Sequence, residues 1–456
     1  MDLRSHPSLK YWFSGRRVCV VGLGKSGVAA AKLLEKLGAL VSVTEKRPRG
    51  QVASWIGELP SVVPVETGGH GFLSKDWDLI VTSPGVPGVL WRPFAERGVP
   101  VLGEMELGYR VLTLAGRWPV RTAAITGTNG KTTTTALLGE MAKAAGLTTV
   151  VAGNIGTPLC AVADKIHGDT TLILEVSSYQ LETAEAFRAA AGAVLNVTPD
   201  HLARHGTLEA YARAKFRLFQ NGGAAVLNAA DAWDRRLAVS VPGNVYWFGL
   251  SPRKEPGVYR VGNRLVSTIP GAEGSWAPPA RLAGDHNVEN ALAAAACARL
   301  LGVPSSAVAK ALREFPGVEH RLEFVREVRG VRFVNDSKGT NVDSTVIALK
   351  AFPQGGVHLI LGGEDKGAPY LPLIPLIKTR VKAVYVIGEA EPQIRRDLGK
   401  ALSLVKAGTL EKALDQAFRA AVPGDTILLS PACASFDQFN NFEHRGRVFK
   451  ELVKAL

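Results

Sequence analysis

The sequence predicts an α/β protein built from three domains, and three observations carry that prediction. The chain has 456 residues, 46% of them hydrophobic, enough for several cores at roughly 100–200 residues per domain. Apolar runs without polar alternation recur along it, each followed by a helical or loop segment, the pattern of parallel strands covered on both faces. Two of the strand-to-helix junctions are glycine-rich, "CVVGLGKSGVAA" and "AITGTNGKTTTT", the form of a turn shaped for phosphate.

In residues 1–116, "RRVCVVGL" reads as a strand, Ser26 to Leu37 as its helix and "ALVSVTE" as the second strand. "DLIVTSPGV" and "PVLGEMEL" continue the alternation, giving a Rossmann-like domain. Residues 117–316 begin again with the strand "PVRTAAIT" and run through "TTLILEVSS", "AGAVLNVT" and "GAAVLNAAD". They read as a central P-loop ATPase-like domain with a mainly parallel sheet. From Asn244 to Pro278 a Gly/Pro-rich stretch with short β-like runs reads as a small antiparallel insertion. The helix "NVENALAAAACARLLG" closes this region. Residues 317–456 carry "VRFVNDS", "GVHLILGG", "AVYVIG" and "DTILLSPA" as strands of a C-terminal Rossmann-like α/β domain. Linkers are expected near Arg117 and Pro316.

The net charge is +13, but the cations are spread among acids, with no basic run and no interleaved aromatics. That distribution favours anionic small molecules over nucleic acid as ligands. Cys19, Cys160, Cys297 and Cys433 form no C-x-x-C pair, which argues against zinc or a disulfide framework and fits a reducing compartment. The first apolar run ends in a glycine turn, unlike a signal peptide, and no run approaches the ~20 apolar residues of a membrane span. A cytoplasmic protein without a membrane partner is expected.

The first glycine loop spells G-x-G-x-x-G through Gly22, Gly24 and Gly27, and Glu45 ends the next strand. A dinucleotide fits, with its diphosphate on the helix N-terminus and a ribose on the acid. Lys25 and Ser26 suit another nucleotide diphosphate equally, and a tight turn without ligand is the third reading. In the second loop Ile125 stands where G-x-x-x-x-G-K-[ST] has its first glycine. Gly127 and Gly130 still let amides converge on phosphate, Lys131 can reach the β- and γ-phosphates, and Thr132 can ligate Mg2+. Glu175 ends an apolar strand, where a carboxylate can meet that ion, and His201 ends another. Lys215 shares a helical face with Tyr211, Leu218 and Phe219, unlike Arg213 and Arg217. A lysine on such an inward face either snorkels to water or is buried with its pKa lowered. Together these residues read as a site.

The segments "GTNGKTTTT", "GNIGTP", "EVSSYQLE", "NVTPDHLARHGTLEAYARAK", "GDHNVENALAA", "HRLEFV", "NDSKGTN", "GGEDKG" and "SPACASFDQFNNFEHRG" resemble, in order and over nearly the whole chain, the motif series of the Mur ligases. The last segment is most similar to members that add D-glutamate. The resemblance implies ATP-dependent addition of D-glutamate to UDP-N-acetylmuramoyl-L-alanine through an acyl phosphate, in peptidoglycan precursor synthesis. It answers why one chain has two loops: the first would hold the UDP-sugar diphosphate and the second ATP. By the same resemblance Gly127, Thr128, Asn129, Gly130, Lys131, Thr132 and Thr133 form the ATP loop. Asn287 and Asn290 lie on the adenine side, and Arg321 and Asp336 contact the nucleotide from the third domain. Thr132 and Glu175 would hold one Mg2+. His201 and Lys215 would serve a second, with Lys215 carbamylated by CO2; Lys131, Glu175, His201 and Lys215 form the catalytic set. Gly24, Lys25, Ser26, Glu45, Ser83, Pro84, Gly85, Asn154 and Ser177 would face the UDP substrate. Lys338, Thr340, Lys366, Ser435 and Phe442 would form the D-glutamate pocket, and a monomer is expected.

Three positions depart from the family pattern: Ala203 stands for an acid in "DHLARH", Gly339 for alanine in "NDSKGTN", and Glu45 where aspartate is common. The alternatives are a sister ligase for another amino acid, an NAD-dependent dehydrogenase fused to an ATPase domain, and a non-catalytic nucleotide-binding descendant. The joint presence of Lys131, Glu175, His201 and Lys215 counts against the last.

Overall fold

A computed structural model describes residue 3 and residues 6–456, apart from 155, 280, 281, 283, 353, 366 and 400–403. The expected D-glutamate contact Lys366 therefore lies outside the described residues. Two compact units emerge, Met1–Ala280 with Asn287–Phe315, and Arg281–His286 with Pro316–Leu456. The first unit contains two sheets and the second one.

The first sheet has 5 strands in the order Val65–Thr67, Leu40–Glu45, Arg17–Val21, Leu79–Thr82, Val101–Gly103, all parallel. Val18 to Val21 are buried without alternation, as a central parallel strand requires. Strand order reverses at Arg17–Val21, so the crevice beyond its C-terminal end is the switch point at which open α/β sheets take ligands. The expected strand "PVLGEMEL" is shorter than read: only Val101–Gly103 is extended, and Glu104 begins a helix that runs to Leu114.

The second sheet has 9 strands, in the order Thr149–Gly153, Thr171–Glu175, Arg121–Thr126, Ala191–Val194, Ala224–Asn228, Val245–Gly249, Gly257–Val261, Arg264–Ser267, Gly274–Trp276. The segment expected as an antiparallel insertion is instead a continuation of this sheet. Val245–Gly249 and Gly257–Val261 extend it in parallel, and only the last two strands are antiparallel. Burial explains the difference, because Trp247 and Tyr259 belong to the main core of the unit and need a covered sheet on which to sit. That same core includes Val18 and Val43 of the first sheet and Leu174 and Leu227 of the second.

The third sheet has 6 strands, ordered Glu323–Val328, Val331–Asn335, Thr426–Leu429, Val357–Gly362, Val381–Ile387, Leu404–Gly408. Among the described residues its Glu323–Val328 edge pairs antiparallel and its other strands pair in parallel. Both edge strands escaped the sequence reading because they are largely exposed or half-buried and interrupted by charge, "EFVREV" and "LVKAG". No described helix is long and apolar enough to cross a membrane.

Candidate active site

The first glycine loop is closed by its own neighbours. Gly22 has φ 95°, and Gly27 packs so tightly on the Gly22 carbonyl oxygen that any Cβ there would collide with it. Gly24 caps the helix Lys25–Lys36 in extended backbone, leaving that helix N-terminus open towards the crevice with Lys25 and Ser26 in its first turn. Glu45 Oε2 accepts the Leu23 amide at 2.7 Å, and its two oxygens accept Arg47 Nε at 3.0 Å and Arg47 Nη2 at 2.9 Å. Burial works to raise the Glu45 pKa, but the Arg47 side chain and the two amides outweigh it and hold the group at about 2. The Ser83 hydroxyl donates to the Gly22 carbonyl oxygen at 3.1 Å, so the Ser83–Pro84–Gly85 turn sits against the loop.

The second loop follows the buried strand Arg121–Thr126 and opens the helix Lys131–Ala144. Gly127 has φ 155° and Gly130 φ 85°. At Gly130 a Cβ would clash with the Asn290 side chain, which fixes glycine at this position independently of any ligand. Lys131 Nζ donates to the Gly127 and Thr128 carbonyl oxygens, both at 2.8 Å. Asn196 clamps the loop: its Oδ1 accepts the Asn129 amide at 2.8 Å and its Nδ2 donates to the Asn129 carbonyl at 3.2 Å. The sequence reading passed over Asn196, although its place at a strand end in "LNVTPDH" is the signal that marked His201. Thr134 Oγ1 lies 3.3 Å from Asn290 Oδ1, and Asn290 Nδ2 3.3 Å from Asn287 Oδ1. The structure thus brings the expected adenine-side asparagines onto the loop helix.

Glu175 is 1% exposed at the end of its strand. Its Oε1 accepts Asn154 Nδ2 at 3.0 Å, whereas Oε2 is buried without a hydrogen-bond partner among the described residues. An orphaned carboxylate oxygen costs about 1–3 kcal/mol or more, and a hard divalent cation is the ligand such an oxygen suits. On that observation the residues fit Mg2+. Ser177 forms a capping box with Gln180 at the start of Ser178–Glu182, so its hydroxyl is already engaged in positioning that helix.

Lys215 is also 1% exposed, with Nζ 4.1 Å from the centre of the Tyr211 ring. Tyr211, Leu218 and Phe219 are buried with it while Arg213 is exposed, so the inward face read from the spacing is the observed one. Desolvation first, then the Lys131 charge, push its pKa well below that of an ordinary lysine, against Asp200 and Asp234. Tyr211 links the parts: its hydroxyl is 3.3 Å from Thr128 Oγ1 of the loop and its ring centre 6.3 Å from that of His201. His201 sits in left-handed backbone at φ 54°, half-exposed, with Nδ1 2.9 Å from the Tyr179 hydroxyl. Tyr211, read from the sequence only as a neighbour of Lys215 on its helical face, also touches the loop, and Tyr179, which the sequence reading did not single out, meets His201.

In the second unit, Asp336 is buried and accepts the Leu322 amide at 3.2 Å and the Ser430 hydroxyl at 2.7 Å. Desolvation raises its pKa to about 6, opposed by Arg321 and those hydrogen bonds. Arg321 and Asp336 line one cavity with His286, Gly339 and Ser344. Lys338 Nζ lies 5.0 Å from the centre of the Phe442 ring, and the Thr340 amide donates to the Lys338 carbonyl oxygen at 2.8 Å. The structure therefore gathers Lys338, Thr340 and Phe442, with Ser435 buried on the "SPACAS" segment. Arg445, fully buried, ties these segments together through Ser337 and the Cys433 and Ala434 carbonyls. It too was missed, though "EHRG" was in view. A separate cluster of Glu319, His320 and Glu323 lies within reach of one cation, but Lys450 bridges both glutamates at 2.8 and 2.7 Å.

Residues 125–298 match the Mur ligase middle domain, and residues 320–433 match the Mur ligase glutamate ligase domain. A UDP-N-acetylmuramoylalanine–D-glutamate ligase of Acidobacterium capsulatum is 47% identical, with 97% of this chain and 96% of the relative covered. The chain belongs to the Mur ligase family. A ligase of the same name from Koribacter versatilis is 46% identical over 97% of this chain and 98% of its own. Among solved structures, the UDP-N-acetylmuramate–alanine ligase of Thermotoga maritima matches with TM-score 0.61 and 20% identity, covering 96% of this chain and 99% of that one. An Acinetobacter baumannii UDP-N-acetylmuramoylalanyl-D-glutamyl-2,6-diaminopimelate–D-alanyl-D-alanyl ligase matches with TM-score 0.62 and 15% identity, covering 98% of both chains. At these identities the solved structures establish the Mur ligase fold.

Proposed function

We propose that this Mur ligase joins D-glutamate to UDP-N-acetylmuramoyl-L-alanine at the expense of ATP, in peptidoglycan precursor synthesis. The observation that carries the reading is the full-length similarity to ligases named for that reaction. The site supports it with a phosphate loop and a buried carboxylate at neighbouring strand ends of one sheet, the carboxylate keeping one oxygen without a partner among the described residues, and a buried lysine on the helix Leu208–Phe216. The substrate carboxylate oxygen attacks the γ-phosphorus, and ADP leaves. The amine nitrogen of D-glutamate then attacks the acyl carbon, the amide forms, and inorganic phosphate and the amine proton depart. Negative charge on oxygen grows in both steps, so Lys131 and the Gly127–Thr132 amides act by electrostatics and positioning.

Thr132 and Glu175 would hold one Mg2+, and His201 with Lys215 would serve a second; the metal supplies charge neutralisation at the phosphates. Lys215 is assigned as a carbamate, formed when its neutral amine adds to CO2 with loss of one proton. Its burial and depressed pKa favour the neutral amine that this addition needs. Asn287, Asn290, Arg321 and Asp336 are assigned to ATP. Gly24, Lys25, Ser26, Glu45, Ser83, Pro84, Gly85, Asn154 and Ser177 are assigned to the UDP substrate, and Lys338, Thr340, Lys366, Ser435 and Phe442 to D-glutamate. The corresponding domains are residues 1–116, 117–316 and 317–456, in a cytoplasmic monomer. The test is phosphate release from ATP with UDP-N-acetylmuramoyl-L-alanine, with and without D-glutamate. Release that requires D-glutamate, and is far slower with L-glutamate, is expected. Equal turnover with L-lysine or D-alanine would assign the chain to a sister reaction.

A further inference from the structure

We propose that Arg204, aimed by Glu182, is a positioning residue that sets the UDP-substrate turn against the His201 loop, an inference that rests on the function proposed above. Arg204 lies on the short helix Leu202–His205, directly after His201. Its Nη1 donates to the Val86 carbonyl oxygen at 2.8 Å. Its Nη2 donates to Glu182 Oε2 at 2.7 Å, and Nε lies 3.2 Å from the same oxygen and 3.3 Å from Oε1. The guanidinium carbon is 5.2 Å from the centre of the Tyr179 ring, whose hydroxyl meets His201 Nδ1 at 2.9 Å.

Val86 closes the turn that begins at Ser83, its amide donating to the Ser83 carbonyl at 3.0 Å. That turn presses on the first glycine loop: a Cβ on Gly22 would lie 2.9 Å from Val86 Cγ2. One guanidinium thus holds main chain beside the diphosphate loop and a ring beside the histidine. Glu182 is anchored in turn. It ends the helix capped by Ser177, and His205 Nδ1 lies 3.5 Å from its Oε1 while His205 Nε2 meets the Ser178 hydroxyl at 3.0 Å. The acid that orients Arg204 is therefore built on the segment that carries Glu175. A solvated surface pair is worth little unless its geometry is good. Here the side chains are only 19% and 16% exposed, and the remaining bond reaches across to a loop of the other sheet. A guanidinium offers a rigid planar fork that grips both carboxylate oxygens, reaches a carbonyl and lies against a ring at the same time; a compact ammonium has three donors but neither the fork nor the planar face.

UDP alone would occupy the first loop without sensing this register, whereas the complete substrate must also reach the phosphate loop with its carboxylate. Misplacement by about 1 Å costs up to roughly 100-fold in the chemical step. The experiment uses full-length Arg204→Lys, Glu182→Gln and the double variant, with titration of UDP and steady-state kinetics. We expect UDP affinity and the KM for ATP to hold. The KM for UDP-N-acetylmuramoyl-L-alanine should rise about tenfold and kcat should fall about tenfold or more. The double variant should be no worse than the poorer single one, as for two groups acting as a unit. Unchanged kcat and KM in Arg204→Lys would overturn the inference while leaving the function intact. Parallel losses for UDP and ATP would overturn it too, by showing a general structural role. A wild-type chain that neither binds UDP nor turns over the substrate would instead remove the functional reading and this inference with it.

Discussion

The two glycine loops leave similarly buried strands and open similar helices, yet they are finished differently. Around Gly22–Gly27 the free groups are consumed internally: Glu45 takes the Leu23 amide, Arg47 takes Glu45, and Ser83 takes the Gly22 carbonyl. Around Gly127–Thr132 Lys131 lies on the loop carbonyls and Asn196 clamps Asn129, while the buried Glu175 on the adjoining strand keeps one oxygen without a partner among the described residues. The first arrangement suits a ligand that is held and left unchanged. The second brings a lysine held on the loop carbonyls and a buried carboxylate to neighbouring strand ends, which suits a reacting phosphate and its metal. The similarity of the two motifs in sequence thus conceals a difference in how their polar groups are engaged, which the proposed function reads as a holding loop and a reacting loop.

The largest effect that would break this comparison is at Lys131. Lys131→Ala should lower turnover by roughly a thousandfold or more, with UDP-substrate binding to the first loop unchanged in titration. A comparable loss of UDP-substrate affinity would mean that the loops are not separable.

Next is Lys215. Lys215→Ala should lose roughly 100- to 1000-fold in activity, and short carboxylates such as acetate should restore part of it by supplying the oxygen ligand. Full activity of the alanine variant in bicarbonate-free buffer would rule the carbamate out.

How much of this was legible in the sequence depends on which force decides each position. The face of Lys215 was readable because helical spacing and apolar neighbours fix it, and of the two outcomes open on that face, snorkelling or burial, the structure shows burial beside Tyr211. The glycine loops were readable because backbone geometry restricts residue type. Asn196, Tyr179 and Arg445 were not, because each acts through contacts between segments far apart in the chain, and a single polar residue carries no period. The sheet extension through Val245–Gly249 was hidden for a related reason: its glycine- and proline-rich flanks signal turns, while the burial of Trp247 that decides its pairing is a tertiary fact.

A third test sharpens the role of the first loop. Gly27→Ala places a methyl group against the Gly22 carbonyl, and the backbone must shift to admit it. Overpacking of this kind costs about 1–3 kcal/mol, so the thermal midpoint should drop by a few degrees and UDP binding should weaken, while ATP binding to the isolated reacting loop persists. Gly24→Ala is the control, since a Cβ there meets nothing within 4 Å. Equal behaviour of the two variants in stability would show that the tight contact at Gly27 is not what shapes the loop.

The smallest effect concerns the pair that finishes the holding loop. Glu45 has its pKa lowered from 4.5 to about 2 in the folded chain, burial opposing and Arg47 with the loop amides prevailing. A depressed folded pKa means that the ionised acid contributes stability above its unfolded value of 4.5. That contribution declines as the pH falls from there towards 2. The Arg47 side chain is 45% exposed, so solvent screens the pair, and the contribution is no more than about 1 kcal/mol. Glu45→Gln should therefore lower the thermal midpoint slightly at neutral pH and flatten its decline below pH 4.5. The measurement is a melting curve at each pH for both chains, with UDP titrated at neutral pH. Unaltered UDP affinity in the glutamine variant would assign Glu45 to shaping the loop through Leu23 and Arg47. A large loss of affinity with an unchanged acid limb would assign it to the nucleotide itself.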